Sequence, residues 1–357
     1  MNPFLKKLGI EAPIVLAPMA GGPSTVELVA AVSNAGGLGS LGAAYLSSTE
    51  IAALIERTRA LTAKPFSLNL FAGGYGPAAD GATDVDPRPM LEIMAEIHAH
   101  LGIPAPQLPP LPPFPFAEQL EAVVAAKPAV FSFTFGLPDR SVIAHLQANS
   151  ILVFGTATTL EEGRLLAAAG VDAIVAQGAE AGAHRGTFAG SFEASMVPTL
   201  QLVQQIAAAS PVPVIASGGI MDGRDIAQAL AAGASAVQMG TAFLPCPECG
   251  ASAVYKQALL SAGEDTTVIT RAFSGRSARG LTNEFIEKLK DKENIILTFP
   301  QQNLLTRPMR TAATQQGDLR FLSLWAGTGV ARVRSVAAAE LVHLLVEEIK
   351  QFDSTKK

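Results

Sequence analysis

The stretch VPVIASGGIMDGRDIAQALAAGASAVQMGT, residues 212–241, contains one complete strand–helix–strand unit. Its first apolar run ends in Gly218-Gly219, where glycine permits a tight turn. Asp222 is a typical helix N-cap, and Gly233 is a typical helix stop, so the intervening residues are predicted to form a helix. A second apolar run follows directly. Two short strands joined through a helix are the repeat of a parallel α/β fold.

The same unit recurs along the preceding chain. Short apolar runs alternate with helical stretches, and together with the opening stretch they give eight predicted strands: 14–17, 38–41, 66–71, 129–134, 151–154, 173–176, 212–217 and 236–241. Because no change of composition divides this series, it predicts a TIM (β/α)8 barrel over residues 1–249 rather than a doubly wound sheet. A proline-rich excursion over 72–115 interrupts the alternation, and Ser48 or Thr49 is predicted to cap the helix that follows the second strand.

The pattern changes after the eighth strand. Residues 250–330 are predicted to form a smaller, mainly helical cap, and 331–357 a C-terminal helix that returns to the barrel. The cap contains a polar segment whose arginines have no assigned role: Arg271, Arg276, Arg279, Arg307 and Arg310.

Composition excludes several classes of partner. The 357 residues are 49% hydrophobic and carry a net charge of −5 without a basic block, which argues against nucleic acid and anionic membranes. Cys246 and Cys249 are too few for a zinc site or a disulfide framework, so no metal is predicted. With no signal-peptide pattern, we expect a cytoplasmic protein, monomeric or homodimeric, that acts on small molecules.

A histidine loop follows the sixth strand. Residues 173–176 are an apolar strand, and the glycine-broken segment after it holds Gln177, Glu180, His184 and Arg185. Loops at this end of a parallel barrel carry catalytic groups, and histidine can act as a base near neutral pH. His184 is therefore a candidate catalytic residue; the alternative is an ordinary loop histidine with a satisfied hydrogen bond.

Two further features of the strand ends predict a ligand. The turns after strands seven and eight are glycine-rich, and barrels often bind a phosphate there, although structural turns would look alike. Amide side chains end three strands and suit the donor and acceptor edge of a flavin ring. Since neither a Rossmann fingerprint nor a P-loop is present, FMN is the cofactor that these features favour. The residues concerned are Gly218, Gly219, Gly240, Asn69, Gln177 and Gln238.

Several segments together resemble class I nitronate monooxygenase, formerly called 2-nitropropane dioxygenase. The resemblance covers about residues 10–245 and rests on five motifs: APMAGG at 17–22, SNAGGLG at 33–39, SFTFGLP at 132–138, AQGAEAGAHRG at 176–186, and the pair Asp222-Gly223 with QMGT at 238–241. It implies a TIM barrel with non-covalent FMN that oxidises alkyl nitronates, such as propionate 3-nitronate, with O2 to a carbonyl compound and nitrite.

The resemblance also assigns residues. It makes His184 catalytic, as the holder of an anionic nitronate when protonated or as the base toward a neutral nitroalkane when neutral. Ala183 departs from the glycine that the family usually has before this histidine, which matters only if its backbone is left-handed. The implied flavin-contacting residues are Met19, Asn69, Gln177, Gly182, Gly218, Gly219, Gln238, Met239, Gly240 and Thr241.

Three other functions are compatible with the same sequence features. An NAD(P)H:quinone reductase or enoyl reductase of the same superfamily would share the glycine turns, but tends to differ around the segment 176–186. A flavin-free, phosphate-binding lyase or isomerase would be colourless when purified. A non-catalytic barrel would bind flavin or a phosphate ligand without turnover.

Overall fold

The computed structural model describes residues 2–73, 85–111 and 115–354. Residues 74–84 and 112–114 of the predicted 72–115 excursion, among them Tyr75, Pro112 and Pro113, lie outside these residues. The strands, numbered along the chain, are β1 (Ile14–Leu16), β2 (Gly39–Gly42), β3 (Phe66–Phe71), β4 (Val130–Thr134), β5 (Leu152–Ala157), β6 (Ala173–Gln177), β7 (Ala183–His184), β8 (Val214–Ser217), β9 (Ala236–Met239), β10 (Thr267–Thr270) and β11 (Ala278–Leu281).

Eight of these strands form a parallel barrel. Neighbouring strands pair in the order β1-β9-β8-β6-β5-β4-β3-β2. The ring closes between its first and last members, because the Leu38 carbonyl accepts a hydrogen bond from Leu16 N at 2.9 Å and Leu38 N donates to Ile14 O at 2.9 Å. Each of the eight predicted strands corresponds to one barrel strand, so the predicted TIM barrel is confirmed.

Helices connect the strands and surround the barrel. They are α1 (Pro3–Leu8), α2 (Val26–Asn34), α3 (Ser48–Leu61), α4 (Arg88–Leu101), α5 (Phe116–Ala126), α6 (Arg140–Ala148), α7 (Leu160–Ala169), α8 (Thr199–Ala209), α9 (Gly223–Ala231), α10 (Ala253–Leu260), α11 (Glu284–Leu289), α12 (Gln301–Leu305), α13 (Arg307–Gln316) and α14 (Ala338–Ser354). Asp222 caps α9 as predicted, by accepting a hydrogen bond from Asp225 N. The predicted cap of α3 was wrong by one residue: Ser47 and Glu50 form a capping box there.

The barrel interior is closed at its amino-terminal end. Phe4, Leu5 and Leu8 of α1 pack on residues that point inward from the strands, among them Val15 and Phe154. The ring centroids of Phe4 and Phe154 lie 6.0 Å apart. Burial of this apolar plug leaves the opposite, carboxyl-terminal end of the strands as the open end of the barrel.

The cap contains a sheet that the sequence analysis missed. Residues 250–330 include α10 to α13, but β10 and β11 also form an antiparallel pair. β11 pairs in turn with β7, so that Ala278 lies opposite His184 and Arg279 opposite Ala183. These strands are too short for a clear alternating pattern, which explains the omission. The pairing fixes the histidine loop of the barrel to the cap. The division at 249 and 250 stays a prediction, and α14 packs on α2 and α9 of the barrel.

Candidate active site

A cavity of about 670 Å³ lies between the open end of the barrel and the cap. Its volume is that of a typical small-molecule or cofactor site. Every residue predicted to be catalytic or to bind the cofactor lines this cavity: Met19, Asn69, Gln177, Gly182, His184, Gly218, Gly219, Gln238, Met239, Gly240 and Thr241. The structure therefore brings all of them together, while their individual roles stay predictions.

The turns that follow β8 and β9, residues 217–219 and 239–241, form what we call the barrel rim. Gly218 and Gly219 have φ values of +128° and +70°, which residues with side chains rarely adopt. A Cβ on Gly219 would lie 3.0 Å from Glu180 Cβ, and one on Gly240 3.2 Å from Ala17 Cβ. Side chains are thus disfavoured at these glycines, whose backbone is open to close approach by a ligand such as a phosphate.

The amide side chains lie on the barrel side of the cavity. Asn69 Nδ2 donates to Ser132 Oγ at 2.9 Å. Gln177 bonds its own loop: its Nε2 donates to the His184 carbonyl at 3.0 Å, and its Oε1 accepts from Gly186 N at 2.7 Å. Gln177 therefore positions the histidine loop in addition to lining the cavity, a role that the sequence did not predict.

The ring of His184 is surrounded by aromatic side chains. Its ring centroid is 5.5 Å from that of Trp325, 5.8 Å from Phe135 and 6.1 Å from Phe299. Its Nε2 is 2.8 Å from Ser274 Oγ. These contacts fix the ring at the cavity wall and shield it from water on several sides.

The surroundings of His184 favour the neutral imidazole. Burial lowers the pKa of His184 to about 3, and the nearby cations of Arg276 and Arg310 act in the same direction. Arg276 itself is held away from the cavity, with its guanidinium carbon 4.0 Å from the centroid of Phe135 and its Nη2 donating to Thr187 O. These surroundings favour a neutral ring at neutral pH, which can accept a hydrogen bond or a proton; the role of His184 stays a prediction.

The cap supplies the charge at the cavity. Arg307 and Arg310 line it, and none of the described lining residues is acidic. Arg310 Nη2 donates to the carbonyl and Oδ1 of Asn303 at 2.7 and 2.9 Å, while its buried Nε has no partner among the described residues. Burial lowers the pKa of Arg310 to about 10, so it remains a cation at neutral pH. We call His184, Asn303, Arg307, Arg310 and Trp325 the cap wall.

The backbone around the histidine is unusual. Ala183 has φ +61°, so the left-handed conformation that would make its Cβ costly is the one observed. Arg185, next to the histidine, is fully buried and donates to the carbonyls of Gly178 and Ser195 at 2.5 and 2.8 Å. Its guanidinium thus cross-links the loop through backbone carbonyls. The pairing of β7 with β11 holds Ala183 in its left-handed conformation.

Several residues at this site carry no recognisable sequence signal. Ser274 and Trp325 belong to cap loops and Asn303 to the short helix α12. Ser274 and Trp325 reach His184 through the sheet that was not predicted. Phe135 belongs to the motif SFTFGLP, residues 132–138, but had no assigned role. The buried Cys246 and Cys249 do not line the cavity, and burial raises the pKa of both thiols, which makes them poor nucleophiles.

The described residues contain neither a membrane-spanning helix nor a metal-binding cluster. No helix there is long and apolar enough to cross a membrane. No group of three or more histidine, cysteine, aspartate or glutamate side chains in that part of the chain is arranged to hold a metal ion.

Comparison with known proteins assigns the family. The sequence model of the family described as nitronate monooxygenase matches residues 2–348. A nitronate monooxygenase of Pseudomonas aeruginosa is 44% identical over 351 residues, covering 97% of this chain and 99% of the relative. The solved nitroalkane oxidase of Streptomyces ansochromogenes superposes with a TM-score of 0.91 at 39% identity, covering 99% of both chains. FabK from Thermotoga maritima superposes with a TM-score of 0.78 at 27% identity, covering 99% of this chain and 98% of its own. This chain is therefore an enzyme that belongs to the nitronate monooxygenase family of oxidoreductases.

Proposed function

We propose that this protein is an FMN-dependent monooxygenase that oxidises alkyl nitronates, such as propionate 3-nitronate, with O2 to a carbonyl compound and nitrite. The main support for the proposal is the chemistry of the cap wall. Neutral His184 and the cation of Arg310 line the same cavity, and none of the described lining residues is acidic. Such a cavity attracts the anionic nitronate, and its histidine can act as a base toward the neutral parent nitroalkane.

The cavity fits non-covalent FMN. The barrel rim offers backbone N–H groups to the phosphate, and Thr241, whose hydroxyl accepts from Gly327 N at 3.0 Å, fixes the adjoining loop. Asn69 and Gln238 would face the polar edge of the flavin ring, with Met19 and Gly182 completing the wall. When bound, FMN supplies the redox chemistry between the substrate and O2. The protein supplies binding and orientation.

Substrate binding and proton transfer fall to different residues of the cap wall. Arg310, which keeps its charge at neutral pH, holds the anionic nitronate oxygens, and the exposed Arg307 adds to the positive potential at the entrance. A nitronate needs no base because its carbon has already lost its proton. For a neutral nitroalkane, the α C–H bond breaks, the proton passes to the neutral imidazole of His184, and the electron pair stays on the substrate as the nitronate. Removal of reactive nitronates would be a detoxification role; that role, a cytoplasmic location and a monomeric or homodimeric state stay predictions.

A reductase that uses NAD(P)H is the second candidate. It is favoured by the similarity to FabK, although the identity is lower there than to the nitroalkane oxidase, 27% against 39%. Both candidates would bind the same cofactor in the same cavity, so binding alone does not separate them.

The deciding experiment mixes the purified, oxygenated protein with propionate 3-nitronate and, separately, with NADH. O2 uptake, nitrite and the flavin spectrum are followed together. We expect O2 consumption and nitrite release with the nitronate and no bleaching by NADH. Bleaching by NADH with an inert nitronate would establish the reductase instead, and a protein that binds no FMN when FMN is added would favour the flavin-free barrel.

A further inference from the structure

Ser274 lies behind the catalytic histidine, outside the cavity. It is 1% exposed and belongs to the loop between β10 and β11. That loop is rigid: Ser274 N and Gly275 N both donate to Arg271 O, and Gly275 has φ +81° with no room for a Cβ, which would lie 2.1 Å from Leu297 O. Since β11 also pairs with β7, one small sheet carries both Ser274 and His184.

The hydroxyl of Ser274 has three neighbours and one hydrogen. It donates to Arg276 O at 3.1 Å and accepts from Arg276 N at 3.3 Å, and it lies 2.8 Å from His184 Nε2. A hydroxyl can donate only once but can accept twice. If its hydrogen is used by the Arg276 carbonyl, the imidazole nitrogen must be the donor in the third contact. His184 then carries its proton on Nε2.

The other ring nitrogen is left open. No described residue forms a hydrogen bond with His184 Nδ1, and this atom is not among the buried side-chain atoms that lack a partner. Since His184 lines the cavity and its Nε2 contacts Ser274, which does not line it, Nδ1 is the ring nitrogen left for a ligand. In the tautomer fixed by Ser274, this atom has a lone pair and no hydrogen.

We propose that Ser274 is a positioning residue that holds His184 in its Nε2–H tautomer, so that Nδ1 is the atom that accepts the α-proton of a neutral nitroalkane. The inference rests on the proposed function of the cavity. When Nδ1 takes the proton, the C–H electron pair stays on the substrate, and the resulting imidazolium keeps its Nε2–H bond to Ser274. The second tautomer, in which Ser274 donates to Nε2, would place a hydrogen on Nδ1 and block this transfer.

A direct test measures the tautomer without turnover. The protein labelled with ¹⁵N-histidine is studied by NMR at pH 7, with FMN bound, and the ring of His184 is assigned by comparison with His184→Asn. We expect a protonated Nε2 and an unprotonated Nδ1 in the wild type, and a mixture of tautomers in Ser274→Ala. A wild-type ring protonated on Nδ1 would overturn the inference, whatever the enzyme proves to oxidise.

A kinetic test separates positioning from general damage. The substitution Ser274→Ala is expected to lower kcat/KM for a neutral nitroalkane by about tenfold to a hundredfold, a large part of what a general base contributes. Its preformed nitronate, which needs no base, should lose less than about threefold. Ser274→Thr, which keeps a hydroxyl, should restore part of the nitroalkane rate. An equal loss with both forms of the substrate would mean that Ser274 merely supports the fold.

The matched control is Ser277→Ala. Ser277 is 8% exposed and precedes β11, and its carbonyl, which the substitution leaves in place, accepts from Arg185 N. This variant should keep the wild-type ratio of nitroalkane to nitronate rates. If the wild type oxidises neither form, the proposed function fails, whereas the NMR result still decides the role of Ser274.

Discussion

The barrel rim and the cap wall line one cavity and differ in chemical character. The rim is uncharged backbone, shaped by Gly218, Gly219 and Gly240 at the ends of hydrogen-bonded strands. The cap wall carries the titratable and charged side chains, above all His184 and Arg310. Under the proposed function, the rim would hold the cofactor, and the cap wall would bind the substrate and take its proton. Substitutions on the two sides should therefore have separable effects.

The largest expected effect is that of His184→Asn on the cap wall. Asparagine retains a polar side chain but cannot act as a base near neutral pH. We expect kcat on a neutral nitroalkane to fall by about 10²–10⁴-fold. Flavin affinity should stay within about twofold of wild type, because the barrel rim is untouched. Turnover is measured by O2 uptake at saturating substrate, and flavin affinity by titration of the apoprotein.

His145→Asn is the control for this substitution. His145 lies exposed on α6, away from the cavity. The control variant should match the wild type in both measurements. Unchanged turnover in His184→Asn would remove His184 from the mechanism, and a loss of flavin in that variant would contradict the division between the two walls.

Arg310→Met tests the charge of the cap wall. Methionine fills similar space but removes the half-buried cation that lines the cavity. A hydrogen bond to a charged group contributes about 1.5–3 kcal/mol, so KM for an anionic nitronate should rise by about tenfold to a hundredfold. KM for a neutral nitroalkane should change much less. Steady-state kinetics with both forms of one substrate provides the measurement.

Arg307→Met gives the matched comparison. Arg307 is exposed at the same cavity, where solvent screens its charge, so its loss should raise KM for the nitronate by only about twofold. If Arg307→Met has the larger effect, the nitronate binds at the entrance instead of beside His184.

The barrel and its rim could both be predicted from the sequence. The barrel was predictable because each βα unit is specified locally: a short apolar run, a glycine turn and a capped helix, as in residues 212–241. The rim residues could be predicted in the same way, since the ends of consecutive strands meet at one edge. Gly218 and Gln238 accordingly line one cavity.

The cap wall depends on contacts that no local pattern encodes. Arg310 was one of several unassigned arginines, and Ser274 was not singled out. Ser274 contacts His184 through the pairing of β7 with β11, whereas Arg310 lies on α13, which only tertiary packing brings to the cavity. Strands of two and four residues give almost no periodic signal. The histidine itself was predictable from its loop, but its neutral state was not, since that follows from burial.

The low pKa of His184 gives a pH dependence with a defined sign. A histidine with a pKa near 6.5 would lose most of its base form by pH 5, and the rate would fall roughly thirtyfold. With a pKa of about 3, His184 stays neutral across this range. We expect kcat/KM for a neutral nitroalkane to change less than about threefold between pH 8 and pH 5. A steep fall through pH 6–7 that is absent in His184→Asn would show that bound ligands restore an ordinary pKa.

Gly219→Ala tests the barrel rim. The new Cβ would meet a left-handed backbone and lie 3.0 Å from Glu180 Cβ, which would displace the turn that is proposed to hold the phosphate. We expect flavin affinity to fall by about tenfold, equivalent to about 1.4 kcal/mol. With saturating flavin, the ratio of nitroalkane to nitronate rates should be unchanged, because the cap wall is intact.

The control for backbone strain is Gly102→Ala. Gly102 has φ +66°, close to the +70° of Gly219, but a Cβ there meets nothing within 4 Å. It ends α4, outside the cavity lining. This variant should lose stability by about 1–2 kcal/mol and keep wild-type flavin affinity. Similar flavin loss in both variants would mean that the effect comes from general destabilisation and not from the rim.

The smallest effect is expected at Ala183, where the barrel loop enters the cap sheet. Its left-handed φ of +61° costs about 1–2 kcal/mol, of which glycine would recover part at the expense of a more flexible unfolded chain. Ala183→Gly should therefore stabilise the protein by about 0.5–1 kcal/mol in chemical denaturation, as should Lys127→Gly, at φ +49° at the end of α5. Turnover should not change, because the pairing of Ala183 with Arg279 and the contact of His184 with Ser274 both survive. If Ala183→Gly alone lowers kcat, the strained alanine helps to aim the histidine, and the boundary between barrel and cap is itself part of the catalytic machinery.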